Sequence, residues 1–250
     1  MLIGSALVFG LVIGSFLNVV IYRLPRGESI VRPRSACPHC GHLLGFFDLV
    51  PVLSFLFLRG RCRYCHGRIS WQYPLVEGIT GAAFALLAWR YGLSSQAAGY
   101  AVYAALLIAI AGIDLGHQIV PDVLSLPGIG IGLLFGLAQG SLVNSLLGAL
   151  IGGGALLAVY LAALFLLKKE GLGLGDAKLM AMIGAFLGWQ GALFTILAGS
   201  LLGSVAGLVL LAKGRLRMGE PMPFGPYLAA GGLILAIWPW ELWLGPLFGF

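Results

Sequence analysis

Long apolar runs separated by short polar breaks dominate this chain, at the length a lipid bilayer demands of a helix. Eight runs are predicted as membrane spans, at residues 2–22, 74–91, 96–113, 120–139, 142–167, 176–189, 191–212 and 224–240. About 20 apolar residues, rising 1.5 Å each, cross a hydrocarbon core of about 30 Å. The sixth run is shorter than that. Residues 23–73 form the one sizeable polar insert, and the other connections are short. The pattern predicts an all-α polytopic membrane helical bundle of about eight spans. Its parts are a first helix (1–22), an insert (23–73) and a seven-span portion (74–250).

Composition strengthens the membrane reading. Of the 250 residues, 60% are hydrophobic and 10% charged, and the mean hydropathy is +0.99. A soluble domain carries about 25% charged residues. The first 22 residues lack a basic start and a small-residue cleavage site, so they are expected to remain as a helix. The 39 glycines suit membrane helices, where small residues let backbones approach closely. Gly128, Gly132 and Gly136 form one four-residue ladder, and Gly199, Gly203 and Gly207 another. Both are expected to pack helices within the chain. No repeat with a fixed period is found, which counts against a transporter built from repeats.

Charge tests the span count. With eight spans, the insert arginines (Arg23, Arg26, Arg32, Arg34, Arg59, Arg61, Arg63, Arg68) fall on the same side as Lys168, Lys169, Lys178, Lys213, Arg215 and Arg217. Of the 15 basic residues, only Arg90 falls on the other side. The positive-inside rule makes the basic side cytoplasmic and leaves both termini outside. The net charge of +6 thus reports topology. No aromatic-basic interleaving points to nucleic acid.

All four cysteines lie in the insert, as "CPHC" (Cys37, Cys40) and "CRYC" (Cys62, Cys65). Two such turns can each bring two sulfurs to one metal, which is the pattern of a four-thiolate zinc ribbon. Disulfides are the alternative, but a cytoplasmic insert sits in a reducing compartment. Four thiolates leave no open position, so the zinc is expected to be structural. His39, His42 and His66 are near enough to compete as ligands. Gly41 and Gly67 are expected to serve the tight knuckle turns. The segment between the knuckles, "LLGFFDLVPVLSFLFL", is too apolar for a solvated loop. It is expected against the membrane surface or the bundle.

Most of the nine acids, including Glu28, Asp48, Glu170, Glu220 and Glu241, fall in loops or near span ends. Glu77 reads as an anchor for the insert or as a polar contact in the bundle. Asp114 closes the third span, Asp122 opens the fourth and Asp176 opens the sixth, all at one membrane boundary. Ionisable groups at such depth are functional candidates. Asp122, after Pro121, also fits an ordinary helix start. Asp114 sits at a helix C-terminus, where the dipole disfavours an anion, so capping does not explain it. Two neighbouring carboxylates share a proton, one acting as base and one as acid, as in an aspartic protease. A metal site of Asp114, His117, Asp122 and Asp176 is a second arrangement of the same groups.

The glycine-rich "GLGLGD" before Lys178 raises the question of phosphate binding. A dinucleotide fingerprint needs a preceding strand, and a phosphate loop ends in G-K-[ST]. Neither is present. Gly173 and Gly175 are instead expected to leave room for an extended peptide beside Asp176. Lys178 is expected to meet lipid phosphate or to bias the charge near Asp176.

With these residues in place, the chain resembles the type IV prepilin peptidases, the leader peptidase/N-methyltransferase family of GxGD-type membrane aspartic proteases. The resemblance rests on "GSFLNVVIYRLPRGES", the two cysteine pairs, "ISWQYPLVEGITG", "IDLGHQIVPD" and "GLGLGDAKLMAMIGAFLG". Gln72 departs from the arginine expected before Tyr73 and Pro74. The resemblance implies a bacterial inner-membrane enzyme with its insert and active site facing the cytoplasm. It would cleave the basic leader of prepilins or pseudopilins, from a type IV pilus or a type II secretion system, after a glycine. It would then N-methylate the new terminus with S-adenosylmethionine. Asp114 and Asp176 would be the catalytic pair, with Asp122, Lys178, Gly173 and Gly175 supporting them. The rival class is a transporter or channel with a zinc-bound cap, whose acids would carry ions. A stand-alone methyltransferase is a third reading.

Overall fold

The computed structural model describes residues 1–167, 173–217 and 222–239. Lys168, Lys169, Glu170, Gly171, Glu220, Glu241 and the end of the eighth expected span, Trp240, lie outside the described residues. The helices are α1 (Leu2–Arg23), α2 (Leu53–Phe57), α3 (Gln72–Tyr91), α4 (Ser95–His117), α5 (Asp122–Ala138), α6 (Leu142–Ala162), α7 (Leu174–Ala212) and α8 (Gly225–Ile237). Among the described residues no strand forms, and two isolated bridges occur in the insert. Four stretches are long and apolar enough to cross a membrane: Leu2–Arg26, Ser95–His117, Leu142–Phe165 and Leu174–Ala212. The chain divides into two compact units, Met1–Ala109 and Ile110–Phe250, each described below by itself.

In the first unit α1 and α3 form an antiparallel pair. A Cβ on Gly10 would stand 2.8 Å from Gly81 Cα, and one on Gly14 would stand 2.6 Å from Glu77 Cα. One turn further, the buried Asn18 donates from Nδ2 to the Tyr73 carbonyl at 3.0 Å. The partners step by about one helical turn in opposite directions, so glycine spacing sets both the register and the close approach. The pair therefore holds both ends of the insert together. Buried Glu77 accepts the Val52 N–H at 2.7 Å, and so anchors the insert. Val52 adopts φ 60, a costly conformation for a β-branched residue, and this bond helps hold it there.

In the second unit the sequence expectation of two spans, 176–189 and 191–212, meets one continuous element, α7. A straight helix of its 39 residues would run about 58 Å, nearly twice a hydrocarbon core. It does not run straight. Gly188 has φ 73 and ψ −179, which only glycine tolerates readily, and the helix breaks there. Gly152 on α6 shows what the break does. A Cβ there would meet both the Met180 carbonyl, at 2.9 Å, and Ala192 Cβ, at 3.1 Å. In a straight helix those two residues would stand about 18 Å apart. The arms 174–187 and 189–212 therefore fold back beside one another, as the two expected spans require. At the break, Trp189 N–H donates to Asn144 Oδ1 at 3.3 Å, so a side chain from α6 replaces a lost helical partner.

The glycine ladders pack helices within the chain. Gly132 on α5 faces Ala185 and Phe186 on α7, and Gly136 faces Ser145 on α6. Gly199 faces Leu228 on α8, Gly203 faces Tyr227, and Gly207 faces Met222. The tightest backbone-to-backbone approach is elsewhere. A Cβ on Gly184 would stand 2.0 Å from the Gly148 carbonyl oxygen, so α6 and α7 touch backbone to backbone. Gly184→Ala is expected to destabilise by roughly 1–3 kcal/mol through overpacking. Gly154→Ala, where a Cβ meets nothing within 4 Å, serves as the control. Thermal unfolding in detergent separates them, and equal melting of the two variants would contradict this contact.

Candidate active site and metal centre

Four helix ends of the second unit gather around Asp114 and Asp176. Asp114 lies in the last turn of α4, which ends at His117 and is followed by Gln118 with φ 53. Pro121 then caps α5, and Asp122 is its first residue. Gly173 caps α7, with Asp176 in the first turn. The fourth end is the start of α8, at Gly225.

Asp114 is 5% exposed and Asp176 is 8% exposed. The charge of Asp176 is felt at Asp114, so the two carboxylates are electrostatic neighbours. The connecting geometry is tight. A Cβ on Gly175 would stand 2.9 Å from Val120 Cβ, which pins the start of α7 to the turn after α4. A Cβ on Gly225 would stand 2.6 Å from Asp114 Oδ2. The start of α8 therefore rests against Asp114, and its positive dipole end offsets the unfavourable end of α4. Asp114 Oδ2 is buried with no partner of good hydrogen-bond geometry among the described residues, although the Gly225 N–H is directed at this carboxylate. Asp176 reaches back to its own cap, with Gly173 N–H donating to Oδ2 at 3.4 Å. One carboxylate is tied to its helix start, and the other has an unsatisfied oxygen beside it. A buried unsatisfied oxygen is costly in a purely structural role, and it suits a group that binds a proton or water.

The supporting residues behave differently from expectation. Asp122 does not join the pair. It accepts from Lys178 Nζ at 2.6 Å, with the lysine side chain 38% exposed and the aspartate 55% exposed. Lys178 therefore has a carboxylate partner of its own. Gly175 does not leave room for a peptide, because Val120 fills the space where its side chain would go. Gly173 remains open, with only Asp176 Oδ2 near a Cβ at 3.7 Å. Val120 lies within the "IDLGHQIVPD" stretch without being singled out there, and Gly225 lies in none of the motifs. The expected eighth span, 224–240, already placed a helix start there, and the proline after Gly225 suits it.

The candidate metal centre lies in the first unit. The four cysteine sulfurs lie within 4.8 Å of one another, and Cys37 and Cys65 Sγ are 3.8 Å apart. A tetrahedral zinc with bonds of about 2.3 Å sets its sulfurs about 3.8 Å apart, so the cluster fits a zinc ion. Each knuckle closes on itself: Cys37 N–H donates to the His42 carbonyl at 2.9 Å, and Cys62 N–H to the Gly67 carbonyl at 2.9 Å. One bridge flanks each, Ala36 with Leu43 and Arg61 with Arg68. The backbone N–H groups of Cys65 and Tyr64 bring the Cys62 thiol down to about 7, towards the thiolate that a metal needs. Two of the three histidines are otherwise occupied. His39 Nε2 bonds the Arg68 carbonyl at 3.0 Å, and the His42 ring lies 3.6 Å from that of Tyr64. The left-handed turn residue is Gly41 in the first knuckle but His66 in the second. Gly67 is needed for another reason, since a Cβ there would meet the His39 ring at 2.9 Å.

Residues 8–91 match the Bacterial Peptidase A24 N-terminal domain, and residues 101–208 match the Type IV leader peptidase family. A "Prepilin leader peptidase/N-methyltransferase" of Stutzerimonas stutzeri is 41% identical, over 93% of this chain and 89% of its own length. Proteins of the same description from Pseudomonas aeruginosa and Aeromonas hydrophila are 39% and 41% identical, over 93% and 92% of this chain and 89% and 88% of their own lengths. The chain belongs to the type IV leader peptidase family. Its two matched regions hold the two sites in turn: the N-terminal match contains all four cysteines, and the leader peptidase match contains Asp114, Asp122 and Asp176. No solved structure matches the chain.

Within this leader peptidase fold the Asp122–Lys178 pair is exposed on both sides, and exposed ion pairs contribute about 0–1 kcal/mol. Lys178→Ala and Asp122→Asn are therefore expected to leave leader cleavage within a few-fold of wild type, measured as initial rates on a purified substrate. A loss comparable to that of the buried pair would move Asp122 into the reaction.

Proposed function

We propose that this chain is a membrane-embedded aspartic endopeptidase that removes the basic leader of type IV prepilins or pseudopilins and then N-methylates the new terminal residue. The single observation that carries the reading is the buried, neighbouring pair Asp114 and Asp176 at converging helix ends. In that reading one carboxylate holds the proton and the other is the base. The base takes a proton from water, and the hydroxyl adds to the carbonyl of the scissile glycine bond. The protonated partner gives its proton to the departing amine. Asp114, with its unpartnered oxygen, is the better placed of the two to bind the water. Asp176, tied back to Gly173, is held in one orientation.

In that reading the insert and this pair face the cytoplasm, which the basic loops support through the positive-inside rule. Substrates would come from a type IV pilus or a type II secretion system. The cysteine cluster would hold structural zinc through Cys37, Cys40, Cys62 and Cys65, keeping the apolar insert folded at the entrance to α3. S-adenosylmethionine would supply the methyl group.

Incubating the detergent-solubilised protein with a prepilin, with and without the methyl donor, tests both activities in one mass spectrum. Leader loss in both samples, and an added methyl group only with donor, is expected. An intact prepilin alongside ion flux in proteoliposomes would overturn the reading in favour of a transporter.

A further inference from the structure

The insert carries a second polar site unrelated to the aspartates. A cavity of about 470 Å³ is lined by Leu58, Arg59, Arg61, Cys62, Arg63 and His66. Arg63 Nε pairs with Asp48 Oδ1 at 2.8 Å. Arg59 and Arg61 are exposed, and their side chains have no hydrogen-bond or ion-pair partner among the described residues. Arg59, Arg61 and His66 line this one cavity, and the planar fork of arginine suits phosphate.

The surroundings are apolar. Phe57 directly precedes Leu58 on the cavity wall and is 84% exposed, and Leu56 is also exposed. Phe46 and Phe47, 80% and 73% exposed, stack edge to face at 5.7 Å. Asp48 binds this aromatic pair to the arginine side, accepting from both Arg63 and the Tyr64 hydroxyl, the latter at 3.3 Å. Such a cluster of bare aromatics beside free arginines is not built to face water. The α1–α3 pair clamps both ends of the insert at one end of a candidate membrane helix, within reach of a bilayer surface.

We infer that this face of the insert binds the headgroup of an anionic phospholipid, with phosphate between Arg59 and Arg61 and acyl chains against Phe46, Phe47, Leu56 and Phe57. The charge complementarity selects an anionic bilayer over a neutral one. The aromatic border selects lipid over a soluble anion, since amphipathic surface elements bury such residues at the headgroup boundary.

The test uses the full-length protein in nanodiscs of phosphatidylcholine, with or without phosphatidylglycerol. Hydrogen exchange across residues 53–63 is expected to slow in the anionic discs. Native mass spectrometry is expected to find phosphatidylglycerol retained. The double variant Arg59→Ala/Arg61→Ala should retain about twenty-fivefold less, from roughly fivefold for each arginine near a charged surface. Unchanged metal content confirms that the variant's insert is folded. Equal exchange of the wild-type insert in both kinds of disc would overturn the proposal, whatever the variant does. Displacement of the lipid by inorganic phosphate, with no effect of Phe46→Ser/Phe47→Ser, would make this a soluble-anion site and also overturn it.

Discussion

Asp114→Asn and Asp176→Asn are each expected to lower leader cleavage by about a thousandfold or more, within the range a positioned acid or base contributes. Asparagine keeps the shape of the side chain and removes only the titrating proton. At position 176 it still accepts from Gly173 N–H, as residues near a helix start commonly do, so α7 should form unchanged. The protein should stay in the membrane and melt near the wild-type temperature. The double variant should be little worse than either single one, because a pair sharing a proton fails as a unit. Initial rates on a purified prepilin decide the matter, and full cleavage by either variant would remove that residue from the mechanism. Gly225→Ala offers a sharper probe of the same place. Its new methyl group would press on Asp114 Oδ2 without altering any titrating group.

Zinc removal is the second large effect. Binding free energy at a structural zinc site is folding free energy, on the order of 10 kcal/mol. Between the knuckles the insert has only two short 3-10 or α-helical turns and little apolar burial, with Phe55 its principal buried side chain. Without metal, the two knuckles retain one bridge each and a few local bonds. A strong chelator, or Cys37→Ser or Cys62→Ser, is therefore expected to release the metal and open residues 23–73 to trypsin at their many arginines. The membrane helices should survive. Cys40 and Cys65 are exposed, which gives a chelator access, whereas Cys37 and Cys62 are buried. Metal analysis that finds no zinc in the purified protein would remove this centre.

The helical plan was legible because apolar runs of bilayer length leave few other options, and because basic residues mark one side. Even the pause between the sixth and seventh runs could be read, since glycine and polar residues interrupt it at Gly188, Gln190 and Gly191. The two CxxC pairs and both buried aspartates were legible for a related reason: each is a chemical type out of place in its surroundings. What remained hidden depends on chain-distant neighbours. Nothing local to Gly175 says that Val120 fills the space beside it. Nothing near Asp122 says that Lys178, more than 50 residues on, neutralises it. Asn144 reads as an ordinary polar residue until the broken helix across from it exposes an N–H. His66 takes the left-handed turn that Gly67 beside it seemed made for, and Gly67 instead leaves room for the His39 ring.

The break in α7 has a consequence for the lipid around the aspartates. The arm that carries Asp176 is about 14 residues long, or roughly 21 Å, and α8, which rests on Asp114, has 13 residues. Both fall well short of a hydrocarbon core of about 30 Å. A bilayer meeting such short walls thins towards them or lets its headgroups and water dip inwards. If the pair acts as proposed, water and the first polar residues of a membrane-bound helix would reach the carboxylates where the bilayer is thinned.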